Sequence, residues 1–355
     1  ADLSTITVAG AGMAGLCAAA RARELGLDTV VLEKGDRPGG SMLLSSCVVW
    51  RYESFGEFRL QCPDGDESLQ RLVWERLDDA LDWLEALGGP VTERETANPL
   101  TVGRRFDPRA LTEALVLAAG EVRLGETTPD GAQPLVLATG GFQGSPELVA
   151  EHIAPAAPLP LRANPWSAGD GLRAGLARGG SLSAGMDEFY GRNMPDAAFE
   201  EDDFVPAAQL YAARARVVND LGEEFLSVPV DWSETAVVQA AARQPGAAAW
   251  YLLDDEGARE VEPRLEQARR LGGTVLAAEE LPFAAPEGIE LGVRVRAAIT
   301  HTIGGLQIDE RARVVGADGL YAAGADAGGI SAGGYASGLA SALVLGLTAA
   351  EDAVS

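Results

Sequence analysis

Gly10-Ala11-Gly12-Met13-Ala14-Gly15 constrains the fold more than any other stretch, because of what surrounds it. Before it runs a short β-like segment, Ile6-Thr7-Val8-Ala9. After it comes an alanine-rich helix from Leu16 to Leu25, ended by Gly26. Thr29-Val30-Val31-Leu32 then reads as a second strand with Glu33 at its end. A strand, a glycine turn, a helix, a strand and an acid make up a dinucleotide-binding unit. Gly10 permits the tight turn, Gly12 lets a pyrophosphate approach the backbone, and Gly15 lets helix and strand pack closely. The helix N-terminus faces the phosphates, and Glu33 accepts hydrogen bonds from a ribose.

The residues after Glu33 favour a flavin over a nicotinamide. Lys34-Gly35-Asp36-Arg37-Pro38-Gly39-Gly40-Ser41 supplies a second glycine pair at once, and a long flavin dinucleotide needs backbone contacts beyond the first turn. Near the other end, Gly319-Leu320-Tyr321-Ala322-Ala323-Gly324-Ala325-Asp326 reads as a last strand running into a loop, with Asp326 placed to bond a ribityl chain. Gly333-Gly334-Tyr335-Ala336-Ser337-Gly338 then opens an apolar helix from Leu339 to Ala349. Its positive N-terminal end suits the electron-rich N1/O2 edge of a reduced flavin.

Composition narrows the partners. A net charge of −25 over 355 residues disfavours nucleic acid and anionic membranes. An anionic substrate stays open, because a local arginine cluster can override the global field. Lys34 is the only lysine. Cys17, Cys47 and Cys62 are odd in number and follow no metal-ligand spacing, so neither a disulfide framework nor a metal site is expected. No stretch reads as a secretion signal or a membrane span, which predicts a cytoplasmic protein.

The expected fold is α/β. A Rossmann-like domain is built from both chain ends, residues 1–186 and 297–355, around an inserted smaller α+β domain at 187–296. Leu69, Leu72, Val73, Leu77, Leu81, Leu84 and Leu87 mark one helical face, and Asp107-Pro108 caps the helix that comes next. Leu135 to Ala138 is a strand ending in the Thr139-Gly140-Gly141 turn. Ala168-Gly169-Asp170-Gly171 leads a helix. The run Glu200 to Asp203 predicts a solvated loop.

With these residues in view, the chain resembles the fumarate reductase and 3-ketosteroid dehydrogenase group of flavoproteins. The resemblance covers most of the chain and rests on ordered motifs. They are the opening glycines with Glu33, Gly39-Gly40-Ser41 leading to Trp50, Ala138-Thr139-Gly140-Gly141-Phe142, and Ser167-Ala168-Gly169-Asp170-Gly171. Phe189-Tyr190-Gly191, His301-Thr302-Ile303-Gly304-Gly305-Leu306 and the Ala323–Gly338 stretch complete the order. The resemblance implies FAD, held by Gly10, Gly12, Met13, Ala14, Gly15, Glu33, Lys34, Gly39, Gly40, Ser41, Ser46, Val122, Ala138, Thr139, Gly140, Asp170, Gly324, Asp326, Ser337 and Leu339. It also implies a capping domain over the flavin, and hydride exchange between substrate carbon and flavin N5.

Departures from the family pattern shape the expected chemistry. By alignment after Asn219-Asp220-Leu221-Gly222-Glu223-Glu224-Phe225, Trp232 stands where fumarate reductases carry a proton-delivering arginine. Ser331-Ala332-Gly333-Gly334-Tyr335 lacks the second arginine that grips a carboxylate. Tyr335 resembles the tyrosine that ketosteroid Δ4-dehydrogenases place before the same helix. No histidine lies between Gly39 and Trp50, where covalently flavinylated relatives carry theirs, so the FAD is expected to be non-covalent. Gly120 to Gln133 is shorter than the β excursion of relatives.

The leading expectation is an FAD-dependent enzyme that adds or removes hydrogen across a C–C bond next to a carbonyl of a small, fairly apolar molecule. Tyr335 polarises the carbonyl, and Tyr190 or His301 moves the proton. One alternative is reduction of an unsaturated carboxylate with Arg192 as the anion grip. Another is a flavin-holding electron-transfer protein without its own substrate. The partners are a small-molecule substrate and a separate electron acceptor or donor. His152, beside Pro155, is expected to be structural.

Overall fold

The computed structural model describes residues 5–355, which form two units: residues 5–148, 164–188 and 301–355, and residues 149–163 and 189–300. The first is built on a parallel five-stranded sheet in the order Leu320–Ala322, Leu135–Leu137, Thr5–Ala9, Asp28–Glu33, Glu121–Leu124. Strand Thr5–Ala9 lies at its centre and delivers the glycine turn to the carboxyl edge, where open α/β sheets bind ligands.

Helix Met13–Glu24 begins immediately after Gly12, three residues before the expected start at Leu16. It is Ala-rich for a packing reason. Its residues from Met13 to Ala20 are all buried, between the sheet, helix Pro108–Ala119 and the C-terminal helix Gly338–Val354. Small side chains let two helices approach it. Helix Glu67–Ala86 shows the expected apolar face, burying Leu69, Val73, Leu77, Leu81 and Leu84, with Asp66 accepting from Leu69 N–H at its N-terminus. Asp107 caps Pro108–Ala119 through Ala110 N–H at 2.8 Å, as its position before a proline predicts. A small antiparallel sheet, Val48–Tyr52, Thr101–Phe106 and Val91–Glu93, completes this unit.

The second unit is an antiparallel sheet in the order Val275–Ala277, Leu291–Thr302, Ala248–Leu253, Arg216–Val218. Strand Phe189–Pro195 pairs with Leu291–Thr302, and helices Thr235–Ala242, Asp255–Glu260 and Glu262–Arg270 accompany the sheet. The last two residues of strand Leu291–Thr302, His301 and Thr302, belong to the first unit.

Two features differ from expectation. Residues 149–163 belong to the second unit, which the boundary at 186/187 did not anticipate. Leu161 bridges Ile299 in parallel, and Arg162 donates to Thr300 Oγ1 at 3.0 Å, so this proline-rich segment is held by the second unit's own strand. The acidic run Glu200–Asp203 is the expected solvated segment only in part: Glu200 and Asp202 are exposed, but Asp203 is not. Glu201–Asp203 forms a 3-10 turn in which Asp203 is buried, accepts from Glu200 N–H and pairs with Arg270. A charge run lacks the apolar periodicity that marks buried structure, and its partner Arg270 lies 67 residues from Asp203.

Candidate cofactor and active site

The glycine turn is built as its residues predict. Gly10 has φ +107°, and a Cβ there would stand 2.0 Å from the Ala138 carbonyl oxygen. A Cβ on Gly15 would stand 1.9 Å from the Gly10 oxygen, so this glycine sets the helix-to-strand distance. Gly12 differs: its Cβ would meet only Gly40 Cα, at 3.9 Å. Gly39 N–H donates to Ala11 O at 2.7 Å, fixing the second glycine pair against the first. Gly12 and Gly40 therefore lie side by side, a Cβ on Gly40 standing 3.1 Å from Gly12 Cα, and together they form a cradle of bare backbone at a helix N-terminus, the polarity a pyrophosphate needs.

Glu33 is buried, and its carboxylate accepts from Ala11 N–H at 2.8 Å and from Gly35 N–H at 2.7 Å. It ties the end of its strand to the glycine turn. Lys34 pairs with Asp170 at 2.9 Å. Val122 pairs in register with Val31 on the sheet edge. Ser41 is half-buried in the turn after Gly40, and Ser46 is exposed beyond it. Ser337 caps the C-terminal helix by accepting from Ala340 N–H at 3.2 Å, and Leu339 is half-buried in that helix's first turn.

Asp326, the residue expected at the ribityl chain, has an internal structural role. It is 1% exposed, and its oxygens accept from Thr139 N–H at 2.6 Å, Gly141 N–H at 3.0 Å and the Thr139 hydroxyl at 2.9 Å. Thr139 Oγ1 in turn accepts from Gly171 N–H at 2.9 Å. The carboxylate is turned inward, and it locks Ala138–Gly141, Gly324–Asp326 and the start of helix Asp170–Ala177 together. Burial pushes its pKa up to about 6, against which the three donors work. A raised folded-state pKa contributes stability that is full below the ordinary aspartate value and lost as pH rises through about 6. Asp326→Asn, neutral at every pH, is therefore expected to remove about 3 kcal/mol of the stability change between about pH 4 and 7. Urea unfolding of wild type and variant across that range checks it; identical slopes would contradict it.

Near this turn two buried polar atoms, Thr302 Oγ1 and Gln143 Oε1, lack hydrogen-bond partners among the described residues. Both border the same small space, since a Cβ on Gly141 would lie 2.6 Å from the first and 2.9 Å from the second. Buried orphans of this kind are satisfied by water or by a ligand. The cradle fits a bound dinucleotide. Sequence reasoning missed both atoms, because neither is the functional member of a motif.

At the amino end of the terminal helix, the Tyr335 ring meets Trp50 edge-on at 5.5 Å, and Trp50 meets Tyr52 at 5.3 Å. The Tyr52 hydroxyl donates to the Tyr335 carbonyl. A Cβ on Gly338 would stand 3.2 Å from His301 Nε2, so the imidazole lies at the helix's first turn. Burial lowers the His301 pKa below the ordinary histidine value and leaves the ring neutral at about pH 7. Glu188 Oε2 accepts from Gly333 N–H at 2.8 Å, and a Cβ on Gly333 would lie 2.7 Å from Asp64 Oδ2. Two carboxylates thus flank the turn that leads to Tyr335.

Tyr190 and Arg192 lie on strand Phe189–Pro195 of the second unit. The guanidinium sits 5.0 Å from the Tyr190 ring centre and donates to the Ser233 carbonyl. The same unit holds Glu234, buried and at φ +53°, accepting from Ala212 N–H at 2.8 Å. Burial raises its pKa to about 7, opposed by the Ala212 N–H and by Arg192. Nothing in the sequence marks this acid.

Residues 123–341 match the family described as FAD binding domain, and residues 8–46 match an NAD(P)-binding Rossmann-like domain. A probable fumarate reductase of Shewanella frigidimarina is 21% identical over 448 aligned positions, spanning 99% of this chain and 75% of the relative. Among solved structures, the open conformation of a flavocytochrome c3 fumarate reductase superposes with a TM-score of 0.75 at 20% identity, over 99% of this chain and 78% of that one. The 3-ketosteroid-Δ4-(5α)-dehydrogenase of Rhodococcus jostii RHA1 superposes with a TM-score of 0.72 at 18% identity, over 99% of this chain and 96% of that one. Among the described residues no helix is long and apolar enough to cross a membrane. With its glycine cradle, its two-ended sheet and its match over 123–341, the chain belongs to the FAD binding domain family and is an FAD-dependent oxidoreductase.

Proposed function

We propose that this oxidoreductase moves hydrogen across a C–C bond adjacent to the carbonyl of a neutral, fairly apolar small molecule. The observation that carries this reading is the character of the turn before the terminal helix. Aromatic rings of Trp50, Tyr52 and Tyr335 gather there, His301 is neutral, and the Glu188 and Asp64 carboxylates flank Gly333, while the nearby Arg59 guanidinium is committed to the carbonyls of Pro63 and Gly65 on either side of Asp64. A substrate carboxylate at this turn would meet like charge, whereas a ketone oxygen needs only a donor. The ketosteroid dehydrogenase with the same fold was solved with 4-androstene-3,17-dione, a neutral diketone.

When bound, FAD supplies an N5 atom that takes or gives a hydride. Tyr335 donates its hydroxyl proton in a hydrogen bond to the carbonyl oxygen as enolate charge develops. His301, held neutral by burial, takes the proton from the carbon next to that carbonyl. Tyr190 is the alternative proton carrier. Arg192, engaged with the Ser233 carbonyl and the Tyr190 ring, braces that tyrosine. The FAD is held without a covalent bond.

Anaerobic titration of the oxidised protein with saturated cyclic ketones and, separately, with succinate tests the reading. Bleaching of the flavin by a neutral ketone and not by succinate is expected. Bleaching by succinate alone would support the carboxylate reading, and no bleaching by either, with no reoxidation of the reduced flavin by enones or enoates, would leave an electron-transfer protein.

A further inference from the structure

We propose that Trp166, backed by Arg37, is the platform on which the adenine ring of the dinucleotide stacks, a positioning role that rests on FAD being the cofactor. Glu33 fixes where that ring must lie. An acid at the end of the second strand of such a unit takes the adenosine ribose, so the adenine lies just beyond it along the chain. The next element in that direction is Gly35. The Cβ that Gly35 lacks would lie 3.1 Å from Glu33 Oε1 and 2.7 Å from two carbons of the Trp166 indole. Carboxylate and indole are therefore neighbours across a bare backbone, and any side chain at 35 would push the indole away.

The indole is held in place independently of any ligand. Asn164 is buried, and its Oδ1 accepts from Trp166 N–H and Ser167 N–H, each at 3.1 Å, and from the Ser167 hydroxyl at 3.2 Å. Pro165 stiffens the step between them. The Arg37 guanidinium sits 5.5 Å from the indole centre, within cation–π range. The Glu33–Gly35 segment is itself held in place, Glu126 N–H donating to Glu33 O at 3.0 Å and Gly125 N–H to Gly35 O at 3.2 Å. The Lys34–Asp170 pair ties the same segment to the helix that comes after Trp166. The Trp166 ring is half-buried, so it keeps surface for a partner. A rigid, electron-rich plane beside a ribose site, with a cation on it, is the chemistry that recognises a purine.

The test uses protein stripped of flavin and shown to take FAD back, titrated with FAD, ADP and FMN. Trp166→Ala is expected to weaken FAD and ADP alike by about tenfold and to leave FMN unchanged, since base–aromatic stacking is lost only where an adenine is present. Trp166→Phe keeps a ring and is expected to restore most of the affinity. In wild type, ADP alone should quench tryptophan emission, and Trp166→Phe should abolish that quench. Unchanged ADP affinity in Trp166→Ala, or an equal loss for FMN, would overturn the platform while leaving FAD as the cofactor. Failure of the wild-type protein to take back FAD would overturn the cofactor reading itself.

Discussion

Gly12→Val is expected to give a folded protein that carries no flavin. The structure separates this glycine from its neighbours. A Cβ at Gly10 or Gly15 would strike backbone oxygens within 2.0 Å, so substitutions there damage the fold itself. At Gly12 an added Cβ meets only Gly40 Cα, in ordinary contact at 3.9 Å, and a valine there covers the bare backbone that the two glycine pairs present to a cofactor. The collision is with the ligand, not with the chain. Circular dichroism should therefore match wild type while the flavin-to-protein ratio falls to background. A yellow Gly12→Val protein would refute the cradle. Glu33→Ala is a different case. It removes the proposed ribose acceptor and also strands the Ala11 and Gly35 N–H groups, each costing about 1–3 kcal/mol when left unpaired. Its effect divides between cofactor affinity and stability, whereas that of Gly12→Val falls on affinity.

The second large effect is expected at Tyr335. Tyr335→Phe should slow flavin reduction by substrate about a hundredfold, the scale of losing one oxyanion donor in a dry site, with flavin still bound. Phenylalanine retains the edge-on contact with Trp50, and the bond from Tyr52 is made to the Tyr335 backbone carbonyl, which the substitution does not touch. Anaerobic stopped-flow reduction with the ketone that bleaches wild type measures it. A wild-type rate in Tyr335→Phe, together with a slow Tyr190→Phe or His301→Ala, would reassign the donor role to whichever of those residues is slow.

Legibility in the sequence tracks the range of the interactions. Gly10, Gly12 and Gly15 act within one strand–turn–helix unit, so their spacing carries their roles. The apolar face of Glu67–Ala86 and the cap at Asp107 are legible for the same reason. Asp326 stands out in the sequence, but its position after a strand suggests a ribityl contact and not an internal lock. Its actual partners, Thr139 and Gly141, lie 187 and 185 residues away, and only the sheet order brings them together. Trp166 has no signature of its own, because its meaning comes from the missing side chain of Gly35. Glu234 sits in a segment of weak pattern, and its shifted pKa is a property of burial that spacing does not encode. The place of residues 149–163 is hidden because a proline-rich segment looks like a linker until its strand partner is known.

The most direct test of a neutral-carbonyl oxidoreductase is a competition between acceptors. Wild-type protein with its flavin photoreduced is mixed anaerobically with fumarate or with a neutral cyclic enone, and return of the oxidised flavin spectrum is monitored. Rapid reoxidation by the enone is expected, with none above background by fumarate. Faster reoxidation by fumarate would contradict a neutral-carbonyl enzyme.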